Sequence, residues 1–226
     1  MPIVKDESDH WRFLKILRHL NDEYISERWE EELEENVKRG AKIFDRPINW
    51  PKQKPLTSIL SYTLMPNHFH ILAKETINGG IAKFMQKLGN SMTGHFNLKY
   101  GEAGSIFQGS YKARTIQDDK YFRYLAVYIM VKNPMELYPG GLKNARDNFE
   151  DAFRWAINYP FCSLADYTGN REYSLILEKG LLGEVFSSPK DFKNFAKDFI
   201  LGRADIEKDD NFAGLTCEIK TKPVKS

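Results

Sequence analysis

The chain has 226 residues, 42% hydrophobic and 13% aromatic, a globular composition that excludes a disordered polymer. No apolar run approaches the ~18 residues that span a bilayer. Met1 to Glu7 turns acidic at once, unlike a signal peptide. Cys162 and Cys217 alone exclude a disulfide framework and a cysteine-built zinc site. The expectation is a soluble cytoplasmic protein with reduced thiols. The net charge of +2 hides an asymmetry: residues 1–50 carry a net −3 and residues 80–136 a net +4. A basic middle suits a phosphate-bearing partner, and ordinary surface charge accounts for it equally well.

In chain order, Asp9 is expected to cap a first helix in which Trp11, Phe13, Leu14, Ile16, Leu17 and Leu20 recur at helical spacing to about Asn21. Glu27 to Arg39 reads as an acidic, solvated helix, and Pro47, Pro51 and Pro55 mark an irregular connection. Ser58 to Leu64 and His68 to Lys74 read as two strands joined by a turn at Pro66-Asn67. His68 and His70 then share a strand face, and Phe69 points to the opposite one.

After Asn78-Gly79-Gly80 a long amphipathic helix is expected from Ile81 to Tyr100, with Ile81, Phe84, Met85, Leu88, Met92 and Phe96 as its core stripe and His95 beside it as a structural or exposed residue. Ser105 to Ile116 reads as a further extended segment presenting Lys112 and Arg114 on one face. Asp118-Asp119 caps a helix ending at Val131 or Lys132, stopped by Pro134, with Tyr121, Tyr124 and Tyr128 grouped on it. Beyond Pro139-Gly140-Gly141, helices are expected at Phe149–Asn158 and Pro189–Leu201, with a turn-rich stretch to Arg171 between them and a polar tail after them.

This order predicts an α+β fold, a ferredoxin-like split βαβ with a central antiparallel sheet covered by helices. A catalytic unit over residues 1–140 would be followed by a mostly helical extension over 141–226.

Two histidines on a strand, a basic strand and a tyrosine-bearing helix suit one chemistry. A phenol is a poor nucleophile at neutral pH, but it can attack a phosphodiester whose charge a divalent cation withdraws. The product would be a covalent phosphotyrosine that conserves the bond for rejoining.

The residues Leu64-Met65-Pro66-Asn67-His68-Phe69-His70-Ile71-Leu72, Phe96-Asn97, Gly104-Ser105-Ile106-Phe107-Gln108-Gly109, Tyr128-Ile129 with Asn133-Pro134, and Tyr159-Pro160-Phe161-Cys162-Ser163-Leu164 before Tyr167 carry a resemblance. In order and separation they resemble the single-tyrosine HUH transposases, in the branch of REP-associated tyrosine transposases, across residues 6 to 170. The resemblance implies a DNA strand transferase that needs Mg²⁺ or Mn²⁺ and acts on single-stranded DNA near imperfect hairpins, as a monomer or a homodimer with no membrane partner. It implies His68 and His70 as metal ligands and Tyr128 as the nucleophile that bonds the 5′ phosphate and releases a 3′ hydroxyl. Lys112 and Arg114 would hold the DNA backbone, and Gln108 and Phe107 match a family motif with a DNA-facing or a packing role.

Two departures from the family pattern stand out. Family members commonly place an amide one helical turn after the tyrosine; here Lys132 holds that position and Asn133 follows. An α-helix would swing Asn133 about 100° further round, and Lys132 would contact the scissile phosphate or the leaving phenolate instead. The family also opens with a strand before its first helix, where only Pro2 to Lys5 stand here, so a stub, an upstream start or a decayed copy is expected. A hairpin-binding protein that no longer cuts, and a phosphodiesterase in which water attacks, are the competing readings.

Overall fold

The computed structural model describes residues 2–116, 118–169 and 175–203. In order they form α1 (Glu7–His19), α2 (Trp29–Lys38), β1 (Thr57–Leu64), β2 (Phe69–Glu75), α3 (Gly80–Tyr100), α4 (Asp119–Val127), a π-turn (Tyr128–Lys132), α5 (Asn133–Glu136), α6 (Gly141–Asp147), α7 (Phe149–Asn158), α8 (Leu164–Tyr167), α9 (Gly180–Val185) and α10 (Pro189–Ile200). Helices cover both faces of a two-stranded antiparallel sheet, an α+β arrangement.

The first helix starts one turn earlier than expected. Asp6 is its cap: its Oδ1 accepts the N–H groups of Ser8 and Asp9 while the Asp9 carboxylate accepts the Asp6 N–H, a reciprocal capping box. Asp9 is therefore the third helical residue, and it is fully buried. Lys99 at 2.9 Å, His95 at 2.9 Å and Tyr100 at 2.8 Å reach it from α3, so this carboxylate ties α1 to α3 and His95 is structural. Burial opposes its charge, but the hydrogen bonds from the Lys5 N–H, Lys99, Tyr100 and His95 outweigh it and hold the carboxyl well below its ordinary range.

The hairpin pairs Leu64 with Phe69, Thr63 with His70 and Thr57 with Glu75, with a bulge between Ile59 and Ser61. Alternation along β2 sends successive side chains to opposite layers. Phe69 and Ile71 join the core formed with α1 and α3, Phe69 packing 5.2 Å from the Phe13 ring and 6.1 Å from that of Phe107. Leu72 joins Leu60, Leu125 and Ile129 on the face covered by α4 and the π-turn. Phe69→Ala is expected to lower unfolding free energy by about 3–5 kcal/mol, measured by denaturant titration, because a fully buried ring leaves a cavity between two helices.

Ser105 to Ile116 is not a strand. Gly104, Gly109 and Ser110 weaken the segment, which anchors itself by Ile106 and Phe107 in the core and by half-buried Tyr111 against it. Tyr111 to Ala113 lie beside Ile71 and Ala73 of β2, with no backbone hydrogen bond between them among the described residues. The outer edge of β1 is occupied instead by the extension. Leu64 N–H donates to Phe161 O at 2.9 Å, Ser163 N–H to Tyr62 O at 3.0 Å and Glu178 N–H to Ile59 O at 2.8 Å.

Pro134 does not end the tyrosine helix, which continues through the π-turn into α5. The helices expected at Phe149–Asn158 and Pro189–Leu201 are α7 and α10, and α8 and α9 lie in the stretch read as turns and its sequel. The polar tail and Cys217 fall on residues 204–226, outside the described residues. Among the described residues no helix is long and apolar enough to cross a membrane.

Candidate active site

The two histidines and one tyrosine meet where β2 faces the π-turn. The rings of His68 and His70 lie 4.8 Å apart, edge to face, as their shared strand face requires. The Tyr128 ring stands 5.6 Å from His70 at 90°. Tyr124 lies 6.1 Å beyond Tyr128 and Tyr121 6.0 Å beyond Tyr124, both near-parallel, so the three phenols form a ladder with only Tyr128 in ring contact with His70. The Arg114 guanidinium caps the outer end, 5.1 Å over Tyr121.

His68 is half-buried, its Nδ1 2.7 Å from the Asn67 side-chain oxygen. His70 is buried, and its Nδ1 has no hydrogen-bond partner. Burial above all, then the positive ends of His68 and Lys132, pushes the His70 imidazole down to about 3, so the ring is neutral at physiological pH and keeps a lone pair to offer. His19, buried against Ile43, is likewise pushed down to about 4 by burial.

Both histidines titrate higher in the unfolded chain, near 6.5, so between these values the unfolded state binds more protons and stability rises with pH. Unfolding free energy in chelator-containing buffer is expected to fall from pH 7 to pH 5, and His19→Gln and His70→Gln are each expected to flatten that slope in urea titrations.

The backbone sets where Asn133 stands. Asn133 N–H donates to Tyr128 O, closing a turn of five residues where an α-turn closes four. In an uninterrupted α-helix Asn133 would stand roughly 140° round the axis from Tyr128. The longer turn returns it to the azimuth of a one-turn neighbour. Asn133 is buried and its Nδ2 has no hydrogen-bond partner. Lys132 places its Nζ 4.5 Å over the Tyr128 ring and pairs with Glu136.

Imidazole nitrogens of His68 and His70 with an amide oxygen of Asn133 would make a donor set that suits Mn²⁺, and Mg²⁺ when water and phosphate oxygens complete the shell. Among the described residues no three His, Cys, Asp or Glu side chains gather at one point.

Gln108, Lys112 and Arg114 are exposed on the irregular segment and are not in the histidine cluster. Arg114 borders a groove of about 710 Å³ that runs over Leu60, Leu72 and Ala73 and is flanked by Lys74, Asp118 and Asp119. Lys112 lines a narrow cleft with Thr57, Ile71 and Ala73. Thr63 and Cys162 have roles no residue pattern had suggested: Thr63 Oγ1 bonds Ile129 O, and Cys162 Sγ donates to Met130 O at 3.4 Å. The one sequence signal pointing that way is Pro134, a helix residue with no N–H to offer.

Residues 22–132, just under half of the chain, match the family described as Transposase IS200 like; the segment holds both histidines and Tyr128 and ends at Lys132. No curated protein and no solved structure matches the chain. Over the matched segment the chain is similar to IS200-like transposases, and a DNA transposase acting on DNA is the function class this similarity supports.

Proposed function

We propose that the chain is a single-stranded DNA nickase and strand transferase of the REP-associated tyrosine type, working through a 5′-phosphotyrosine on Tyr128 near DNA hairpins. The observation that carries this reading is the ring contact between Tyr128 and His70, with His68 beside it, at the junction of β2 and the π-turn. His68, His70 and Asn133 would hold Mg²⁺ or Mn²⁺, which when bound would withdraw charge from the scissile phosphate and fix its orientation.

Tyr128 Oη forms the bond to phosphorus, and the bond from phosphorus to the 3′ oxygen breaks. The phenol gives up its proton and the departing 3′ oxygen ends as a hydroxyl. The reverse displacement, by a 3′ hydroxyl of another strand, rejoins DNA and returns the phenol. Lys132, held over the Tyr128 ring, would favour the phenolate that attacks in cleavage and departs in rejoining. Lys112, Arg114 and Gln108 would contact DNA along the exposed segment, which makes binding salt-dependent.

The catalytic residues would lie within 1–140, on a split βαβ frame reduced to its central hairpin, and residues 141–226 would act as an extension closing the sheet. The working unit would be a monomer or homodimer in the cytoplasm. A second reading, a hairpin-binding protein that does not cut, draws on the two-stranded sheet and on Lys132 in the turn.

Labelled single-stranded hairpin DNA incubated with the protein and Mg²⁺ or Mn²⁺, then run on a denaturing gel, tests these readings. A protease-sensitive adduct is expected. Binding without cleavage would favour the second reading, and cleavage without an adduct would mean that water attacks.

A further inference from the structure

We infer that the π-turn is a positioning device pinned from outside the helix by Thr63 and Cys162, which bring Asn133 into register with Tyr128 despite one extra residue between them. The inference rests on Asn133 being a ligand of the proposed metal site.

The backbone shows why the turn needs pins. In an α-helix Ile129 O would accept the N–H of residue 133, and Met130 O that of residue 134. Here Asn133 N–H is committed to Tyr128 O, and residue 134 is proline, which has none. Two carbonyls thus lose their α-helical donors inside the core, where Ile129 and Met130 are fully buried. A buried carbonyl without a donor is costly, so an unsupported turn would relax.

Both are supplied by side chains from other elements. Thr63 sits on β1 directly opposite His70, and its hydroxyl reaches Tyr62 O, Cys162 Sγ and Ile129 O, the last being the nearest. Cys162, held at the outer edge of β1 by the bonds of Phe161 and Ser163, turns its thiol to Met130 O. The same strand pair that carries His70 therefore fixes the backbone that carries Asn133. Thr63 and Cys162 touch neither substrate nor metal; they are positioning residues, and their effect is on where the amide stands. A buried cysteine alone would be an inert packing group, and its meaning here comes from the two displaced carbonyls.

The test measures Mn²⁺ affinity of the full chain without DNA, by titration calorimetry or by loss of the free-ion EPR signal, with thermal midpoints recorded alongside. Asn133→Ala is expected to weaken binding. Thr63→Val, which keeps the shape but removes the hydroxyl, is expected to weaken it about tenfold, as losing an outer-shell support does. Thr63→Ser is expected to restore it, and Cys162→Ala to give a smaller loss in the same direction. Deleting Lys132 shortens the turn by one residue to an α-turn and brings the Met135 N–H to Met130 O, while Pro134 still leaves Ile129 O to Thr63, so Mn²⁺ binding should persist and no longer respond to Cys162→Ala.

A wild-type affinity in Thr63→Val and Cys162→Ala, with Asn133→Ala impaired, would overturn the inference and leave the metal site standing. Equal sensitivity to Cys162→Ala with and without Lys132 would also overturn it, since a general packing defect would act in both. An unaltered affinity in Asn133→Ala would instead remove the ligand assignment on which the inference rests.

Discussion

Tyr128→Phe is expected to abolish the covalent DNA adduct and to lower strand cleavage by on the order of 10⁴ or more, the scale on which enzymes respond to loss of their nucleophile. The ring is kept, so its edge-to-face contact with His70, its stacking on Tyr124 and its place under Lys132 all survive. Mn²⁺ affinity, hairpin affinity and thermal midpoint should therefore match the parent chain, and only the denaturing-gel adduct and the free 3′ end should disappear. Tyr124→Phe and Tyr121→Phe are the matched controls. They sit one and two rungs further from His70, and cleavage should persist in both. An adduct that survives in Tyr128→Phe and is lost in Tyr124→Phe would move the nucleophile one rung outward.

His70→Ala is the second large effect. Mn²⁺ affinity should fall by more than the roughly 10–100-fold typical of losing an outer-shell partner, and cleavage should fall with it. The stability cost should be that of the cavity left by the buried ring, because the His70 Nδ1 has no hydrogen-bond partner among the described residues to abandon. Most buried polar groups are satisfied by the fold itself. Calorimetry with Mn²⁺ and a urea titration on the same variant separate the two quantities. A severe loss of stability with unchanged Mn²⁺ affinity would make His70 a structural residue and sink the metal reading.

Local rules carried the sequence far at the hairpin. The alternation His68-Phe69-His70 placed Phe69 in the α1/α3 core and turned the histidines toward the tyrosine helix, because a strand has one period and both faces here are covered. The long helix was legible from its stripe, and α7 and α10 lie where helices were expected. Asp9 was misread as a cap because an acidic residue before an apolar run is the usual sign, and Asp6 gives the same sign three residues earlier.

Tyr111 to Thr115 alternate like a strand, yet alternation cannot say whether a neighbouring edge offers its hydrogen bonds, and among the described residues none does. The π-turn was hidden for a different reason. Helical spacing presumes a uniform twist, whereas the turn at Tyr128 depends on a hydroxyl 66 positions away and a thiol 32 positions away.

The bonds joining β1 to Phe161 and Ser163 also bear on when the protein becomes competent during its own synthesis. Tyr62 and Ser163 are 101 positions apart, so this sheet edge closes late and at a large chain-entropy cost. A ribosome that has just released Lys132 has already delivered both histidines and the tyrosine. It has not yet delivered the residues that cover the strand behind them or the thiol that braces the turn. The chain thus emerges with the histidines and the tyrosine made, while the bonds that close the outer edge of β1 wait on the segment after α7. The outer edge of β1 is therefore closed only once the segment beyond α7 has been made.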